Sequence, residues 1–140
     1  MRRVMRDNAV SVVHFHNTFP LISPSAYFAA RECAVPVVQT LHNYRLLCPA
    51  GTFLRNGKIC EQCLERKSLT PSVVHGCYRD SRAATATVAG MLQVHRVAGT
   101  WNNAVDAYVA VSQFARRKFI QGGLPAERIF VRSSFIHPDP

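Results

Sequence analysis

Two strand–helix–strand patterns constrain the fold of this chain more than any other feature of its 140 residues. In the first pattern, residues 10–15 and residues 36–41 are apolar and rich in β-branched side chains, as buried parallel strands are. Between them a helix is expected, with Ser23 as its N-cap and Pro24 at its first helical position. A strand, a helix and a strand within about thirty residues form a βαβ unit with a right-handed crossover.

The second pattern follows an expected helix over residues 81–98. Residues 106–111 are predicted as a strand, and Ser112 as the cap of a helix over residues 113–120. Residues 129–132 are predicted as a last short strand. Strands that alternate with helices in this way are typical of a parallel sheet covered by helices.

Together the two patterns predict an α/β fold with an incomplete Rossmann-like parallel sheet, because they supply fewer strands than the ~6 of a complete Rossmann sheet. We expect one partial domain over residues 1–140, interrupted by an irregular, cysteine-rich insertion at about residues 42–80. A segment of that length without regular elements is usually functional or held by a cross-link.

Composition favours a globular protein that attracts anions. Hydrophobic residues make up 48% of the chain and charged residues 18%, which argues against a disordered chain. No apolar stretch approaches the ~20 residues of a membrane span, and no signal-peptide core follows the basic start, so we expect a cytoplasmic protein. The formal net charge of +9 favours contact with phosphates, nucleic acid or the anionic inner face of a membrane. A solvated basic surface is the alternative explanation of that charge.

Polar side chains follow the first two predicted strands at the ends where ligands bind in open α/β sheets. His14 and His16 are two positions apart on the first strand, so their side chains should lie on the same side. His42, Asn43 and Arg45 follow the second strand. Such a group can hold a polyhydroxyl ligand or its phosphate, and histidine can exchange protons near neutral pH. Each histidine could instead be packed and hydrogen-bonded under the sheet edge.

The cysteine-rich centre contains a possible metal site. An Asn56–Gly57 hairpin signal leads into a Cys-x-x-Cys motif, and four thiolates could close a tetrahedral structural zinc site. Free thiols, and a disulfide or redox pair, are the alternatives, and His75 is an alternative ligand. Cys33 lies on the first helix and is expected in the core. The four candidate ligands are Cys48, Cys60, Cys63 and Cys77.

Other motifs of known chemistry are missing from the sequence. It has no glycine-rich phosphate loop, no paired carboxylates and no Gly-x-Ser-x-Gly nucleophile elbow. The cations at residues 116–118 are expected to form a solvated helix face, and contact with a phosphate is the alternative. No nucleic-acid fold signature is present, and aromatic residues do not alternate with the cations, so we expect no nucleic acid as a partner.

Four sequence segments carry a family resemblance. In their order and spacing the chain resembles glycosyltransferase family 4, retaining enzymes of the GT-B fold with two Rossmann-like domains. The resemblance implies a fragment of the N-terminal, acceptor-side domain, about half of it. It also implies a complete enzyme that transfers a hexose from a nucleotide-sugar to a cell-surface glycan or a lipid-linked acceptor, as in polysaccharide biosynthesis of the cell envelope. The segments are residues 12–20, 36–45, 109–116 and 123–129.

The resemblance also implies roles for individual residues. His42 matches the catalytic-site histidine near the reacting sugar, and Ser112 matches the residue that opens the helix after the third strand. A second group matches the positions that bind the acceptor. These are His16, Asn17, Asn43, Tyr44 and Arg45.

The chain departs from the family pattern in three places, one of which is Ser133–Ser134, where family members commonly have Pro-Asn. The glycine-rich loop of the N-terminal strand is absent, and so is the C-terminal domain whose paired glutamates and basic residues hold the nucleotide-sugar donor. The resemblance therefore implies that these residues alone do not catalyse transfer. Two alternatives remain open: a basic, zinc-stapled binding module for a polyanion, and an inactive truncated remnant.

Overall fold

The computed structural model describes residues 1–19 and 22–133, which form helices, strands and one 3-10 turn (Ala126–Arg128). The α-helices are α1 (Arg2–Asp7), α2 (Ser25–Glu32), α3 (Gln62–Glu65), α4 (Thr70–Val74), α5 (Arg82–Val97), α6 (Thr100–Asn103) and α7 (Gln113–Gln121). The strands are β1 (Val13–Phe15), β2 (Val37–Leu41), β3 (Leu54–Arg55), β4 (Lys58–Ile59), β5 (Ala107–Ala110) and β6 (Ile129–Val131). Within the described ranges, none of the helices combines the length and apolar content that a membrane span requires.

Four of these strands form one sheet in the order β1-β2-β5-β6. All three neighbouring pairs are parallel. The register places Val13 opposite Val37 and Val38 opposite Ala107. The predicted α/β fold, with a partial Rossmann-like sheet of four parallel strands, is confirmed.

The chain divides into two compact units. The first comprises the described residues of Met1–His42, Thr100–Ile120 and Leu124–Pro140 and contains the parallel sheet. The second comprises Asn43–Gly99 and Gln121–Gly123, and contains all of the predicted cysteine-rich insertion beyond His42. Helix α5 also belongs to this second unit, so the cysteine-rich segment has a long helix to pack against.

Buried hydrogen bonds fix the core of the first unit. The Tyr27 hydroxyl, on α2, donates to the Gln39 side chain on β2 at 2.7 Å. Burial raises the pKa of Tyr27 to about 12, so the phenol keeps its proton and remains a donor. The Tyr108 hydroxyl donates to the Trp101 carbonyl at 2.6 Å. Because buried polar groups are costly unless paired, these bonds fix α2 and α6 on the sheet.

The cysteine-rich centre is more regular than the sequence suggests. Strands β3 and β4 form an antiparallel hairpin closed by Asn56 and Gly57, which both have positive φ angles, of 51° and 73°. That geometry is what the Asn-Gly signal predicts. Helices α3 and α4 follow, but each has five residues or fewer. Elements this short cannot show a hydrophobic period, which explains why the segment reads as irregular.

Most predicted helix starts agree with the structure. Ser81 caps α5, where its hydroxyl accepts a hydrogen bond from the Ala84 amide at 3.2 Å. Helix α2 begins one residue later than predicted: Pro24 is its N-cap rather than its first helical residue. The Ser23 hydroxyl still accepts from the Ser25 amide at 3.3 Å, so serine performs the expected capping near the helix start.

Candidate functional site

Three histidines meet at the carboxyl ends of β1 and β2 in the first unit. His14 lies on β1, His16 follows its last residue, and His42 follows the last residue of β2. The ring centroids of His14 and His16 are 4.4 Å apart, and those of His16 and His42 are stacked at 5.2 Å. All three are exposed to solvent. The prediction that the two strand ends bring histidines together is confirmed.

His16 and His42 share a hydrogen bond. The Nδ1 atom of His16 lies 2.9 Å from the Nε2 atom of His42. One of these nitrogens must therefore carry a proton while the other offers a lone pair. The tautomers of the two rings decide which of them is the donor. An imidazole pair of this kind can donate or accept a proton at a bound hydroxyl.

His14 is hydrogen-bonded to the side chain of Thr40. Its Nε2 atom lies 2.8 Å from the Thr40 hydroxyl, which is buried in β2. Burial lowers the pKa of His14, and the charges of His16 and His42 lower it further. Thr40 is missing from the predicted site residues. The period of two along a strand could have found it, because Thr40 precedes His42 by two positions just as His14 precedes His16.

Asn17 and Ser112, two other predicted site residues of the first unit, make local contacts. The Asn17 side-chain oxygen accepts from the Phe19 amide at 3.3 Å, which turns the chain after the histidines. Pro20, the last residue of the first family segment, lies outside the described residues. The Ser112 hydroxyl accepts from the Ala115 amide at 3.1 Å, so Ser112 caps α7 as predicted.

The remaining predicted acceptor residues belong to the second unit. The Asn43 side chain accepts from the Arg45 amide at 3.0 Å, and the Tyr44 ring stacks on Phe53 with centroids 4.6 Å apart. The Arg45 guanidinium donates to the Pro49 carbonyl and lies 5.4 Å from the centre of the Tyr78 ring. Burial lowers the pKa of Arg45.

Gly51 lets Arg45 lie against the backbone of this turn. It has a φ of 84°, and a Cβ at this position would lie 3.1 Å from the Arg45 guanidinium. A larger residue would therefore be strained in its backbone and crowded by the arginine. Together, these contacts make Asn43, Tyr44 and Arg45 the frame of a tight turn.

The four predicted zinc ligands surround one small cavity in the second unit. The cavity has a volume of about 20 Å³. No disulfide joins them, and Cys48 is the most buried of the four. Among the described residues, no three His, Cys, Asp or Glu side chains are already arranged as closely as a metal ion requires. The lining includes Cys48, Cys60, Cys63 and Cys77, together with His75 and Arg55.

The thiols of this cluster influence one another. Burial raises the pKa of the Cys63 thiol, and the neighbouring Cys48 and Cys77 add to the rise, whereas Ser72 opposes it. Burial also raises the pKa of Cys77, and Cys48 and Cys60 add to that rise. Cys33, in contrast, lies at the C-cap of α2 in the first unit and is half-buried rather than in the core.

The cation run on α7 is only partly solvated. Arg117 is exposed, as predicted. Arg116 instead donates through Nε to the Ile129 carbonyl and through Nη2 to the Ala126 carbonyl, each at 2.9 Å. The Lys118 ammonium lies 5.4 Å from the centre of the Phe114 ring. The prediction of a solvated face was therefore wrong for Arg116, because the sequence does not show the carbonyls that the guanidinium reaches.

Comparison with known proteins identifies the family of this chain. No curated protein and no solved structure matches it. The family model described as Glycosyltransferase Family 4 matches residues 1–139, which is nearly the whole chain. That extent agrees with the partial Rossmann-like sheet. The chain therefore belongs to glycosyltransferase family 4.

Proposed function

We propose that this chain is the acceptor-side part of a retaining hexosyltransferase that uses a nucleotide-sugar donor. The acceptor in this proposal is a cell-surface glycan or a lipid-linked precursor, as in polysaccharide biosynthesis of the cell envelope. Membership of the family supports a transferase role with a sugar donor and an acceptor as partners. The single observation that carries the proposed site is the exposed His16–His42 pair at the carboxyl ends of two neighbouring parallel strands.

His42 is the proposed catalytic residue. In glycosyl transfer the bond between the sugar and the nucleotide diphosphate breaks, a bond to the acceptor hydroxyl oxygen forms, and that hydroxyl loses its proton. An imidazole beside the reacting sugar can orient its hydroxyls and stabilise charge as it develops. The 2.9 Å contact with His16 fixes the His42 ring in one orientation, which favours this role.

His16 and Asn17 are the proposed acceptor-binding residues of the first unit. Both are exposed and follow β1 directly, where the strand-end rule places ligands. For Asn43, Tyr44 and Arg45, the acceptor role rests on the family resemblance alone. Their described contacts stabilise the turn that follows His42 along the chain. Ser112 has a structural role in this proposal, as the cap of α7.

The positive charge supports an anionic acceptor. The chain carries 17 lysines and arginines against 8 acidic residues. A surface of this sign raises the local concentration of phosphate-bearing lipid precursors and favours peripheral contact with an anionic membrane. We therefore place the enzyme, as part of the proposal, at the cytoplasmic face of such a membrane.

The test is sugar transfer by the complete enzyme that contains residues 1–140. The His42→Ala variant should lower the initial rate by a factor of about 100 or more, in the range measured for positioned acid–base groups. His95→Ala is the matched control, because His95 lies on α5 and belongs to the second unit, whereas the three histidines of the site belong to the first. An unchanged rate for His42→Ala would exclude the catalytic role.

A further inference from the structure

We propose that Cys48, Cys60, Cys63 and Cys77 bind one zinc ion, which holds the second unit together. The four cysteines belong to the second unit and the histidines to the first, and the proposal gives the ion no role in sugar transfer. It is therefore independent of the proposed function, and it can be tested without any transfer assay.

The four cysteines reach one cavity from four different parts of the second unit. Cys48 ends the turn after His42, Cys60 follows β4, Cys63 lies in α3, and Cys77 follows α4. Residues separated by up to 29 positions thus converge on a cavity of about 20 Å³. Every cysteine of the second unit therefore lines this one cavity, and the fifth cysteine, Cys33, belongs to the other unit. A chance distribution of cysteines would not be expected to gather them in this way.

Backbone hydrogen bonds hold the positions of these cysteines. The Cys48 amide donates to the Tyr44 carbonyl at 2.8 Å, and the Cys60 amide donates to the Phe53 carbonyl at 2.8 Å. The Cys77 amide donates to the Ser72 carbonyl at 3.0 Å. These bonds hold the backbone of three of the four cysteines beside the cavity that all four line.

The donor set fits zinc. Four thiolates match the tetrahedral, all-sulfur coordination of structural zinc sites, and they leave no open position for a reacting water. Each zinc–sulfur bond forms as a thiol releases its proton, so four protons leave when the ion binds. The completed site carries two net negative charges, and Arg55 lines the same cavity with a compensating positive charge.

The short elements of the second unit also favour a metal cross-link. Before α5 its strands have two residues each and its helices five or fewer. Elements this short bury little apolar surface, and small units of this kind are commonly held by a metal or a disulfide. The five cysteines are not joined by disulfides in the structure.

The first experiment measures metal in the full chain, purified with a reductant and without added metal. We expect one zinc per chain by elemental analysis. Replacement by cobalt should produce the strong visible absorption of tetrahedral cobalt and a thiolate-to-cobalt charge-transfer band. Chain without zinc in which all five cysteines react as free thiols would overturn the proposal, and so would disulfides found by mass spectrometry. Iron in place of zinc would overturn the choice of metal.

Variants then identify the ligands. Cys63→Ser should lose the bound zinc and the cobalt charge-transfer band, whereas the matched control Cys33→Ser should keep both. His75→Ala should also keep both, because His75 lines the cavity but is not among the four proposed ligands. Loss of zinc from His75→Ala or from Cys33→Ser would refute this ligand set. If Cys63→Ser does not fold, the metal content and cobalt spectrum of the unchanged chain still decide the question.

Discussion

Replacing Arg116 by methionine tests whether the cation run of α7 stabilises the fold or serves as an anion site. The Arg116 guanidinium lies half-buried between α7 and the segment that leads into β6. Its two 2.9 Å hydrogen bonds reach the carbonyls of Ala126 and Ile129. Methionine keeps the apolar stem but removes both donors, and the Ala126 carbonyl then keeps only the Ile129 amide as a protein donor among the bonds described.

The expected loss follows from these two bonds. A hydrogen bond from a charged donor contributes about 1.5–3 kcal/mol, and water replaces part of that at a half-exposed site. We therefore expect Arg116→Met to lower the free energy of unfolding of the first unit by about 2–3 kcal/mol. Arg116→Lys should lose about half as much, because lysine keeps the charge but cannot span two carbonyls with one planar group.

The assay is urea unfolding followed by tryptophan fluorescence. Trp101 is the single tryptophan and is buried in the first unit, so its signal reports the unit that contains Arg116. A loss of this size shifts the urea midpoint by about 1 M. Arg117→Met is the control, since this exposed neighbour should change stability by about 0.5 kcal/mol or less. Equal shifts for the two variants would refute the reasoning, because they would assign the effect to charge rather than to the carbonyl contacts.

Two further predictions concern the sheet that carries the histidines. Tyr27→Phe leaves the buried Gln39 oxygen without its 2.7 Å donor and should cost about 1–3 kcal/mol in the same fluorescence assay; an unchanged midpoint would show that water replaces the hydroxyl. His14 has a lowered pKa, so it binds fewer protons in the folded chain than in the unfolded chain, and stability should fall as pH drops below the ordinary histidine pKa of about 6.5. His14→Gln should make the fall between pH ~7 and pH ~5 smaller, and an identical fall in both chains would contradict the assignment.

The histidine group shows how far the sequence alone can define a site. Apolar runs followed by His16 and His42 are enough to predict that the two residues meet, because parallel strands end at one edge of a sheet. The sequence does not reveal that the two rings are joined by a hydrogen bond or that Thr40 is hydrogen-bonded to His14. Those contacts depend on the register of β1 against β2, which places His14 opposite Val38.

In the cysteine-rich segment the sequence predicts the hairpin and the candidate ligands but not the helices. Its spacing and the Asn56–Gly57 signal predict a hairpin and four candidate ligands, and the structure gathers those ligands around one cavity. The short helices α3 and α4 could not be predicted, because four or five residues contain too little of a helical period to be recognised.

The sequence by itself determined the α/β class, the four parallel strands, the start of α5 near Ser81, the cap at Ser112, and the family. All of these depend on local periodicity, local hydrogen bonding or the order of motifs along the chain. Only the tertiary structure decided which polar groups pair with each other, such as Arg116 with two carbonyls. It also divided the chain into two units. Both follow from contacts between residues far apart in sequence, whose geometry no local pattern contains.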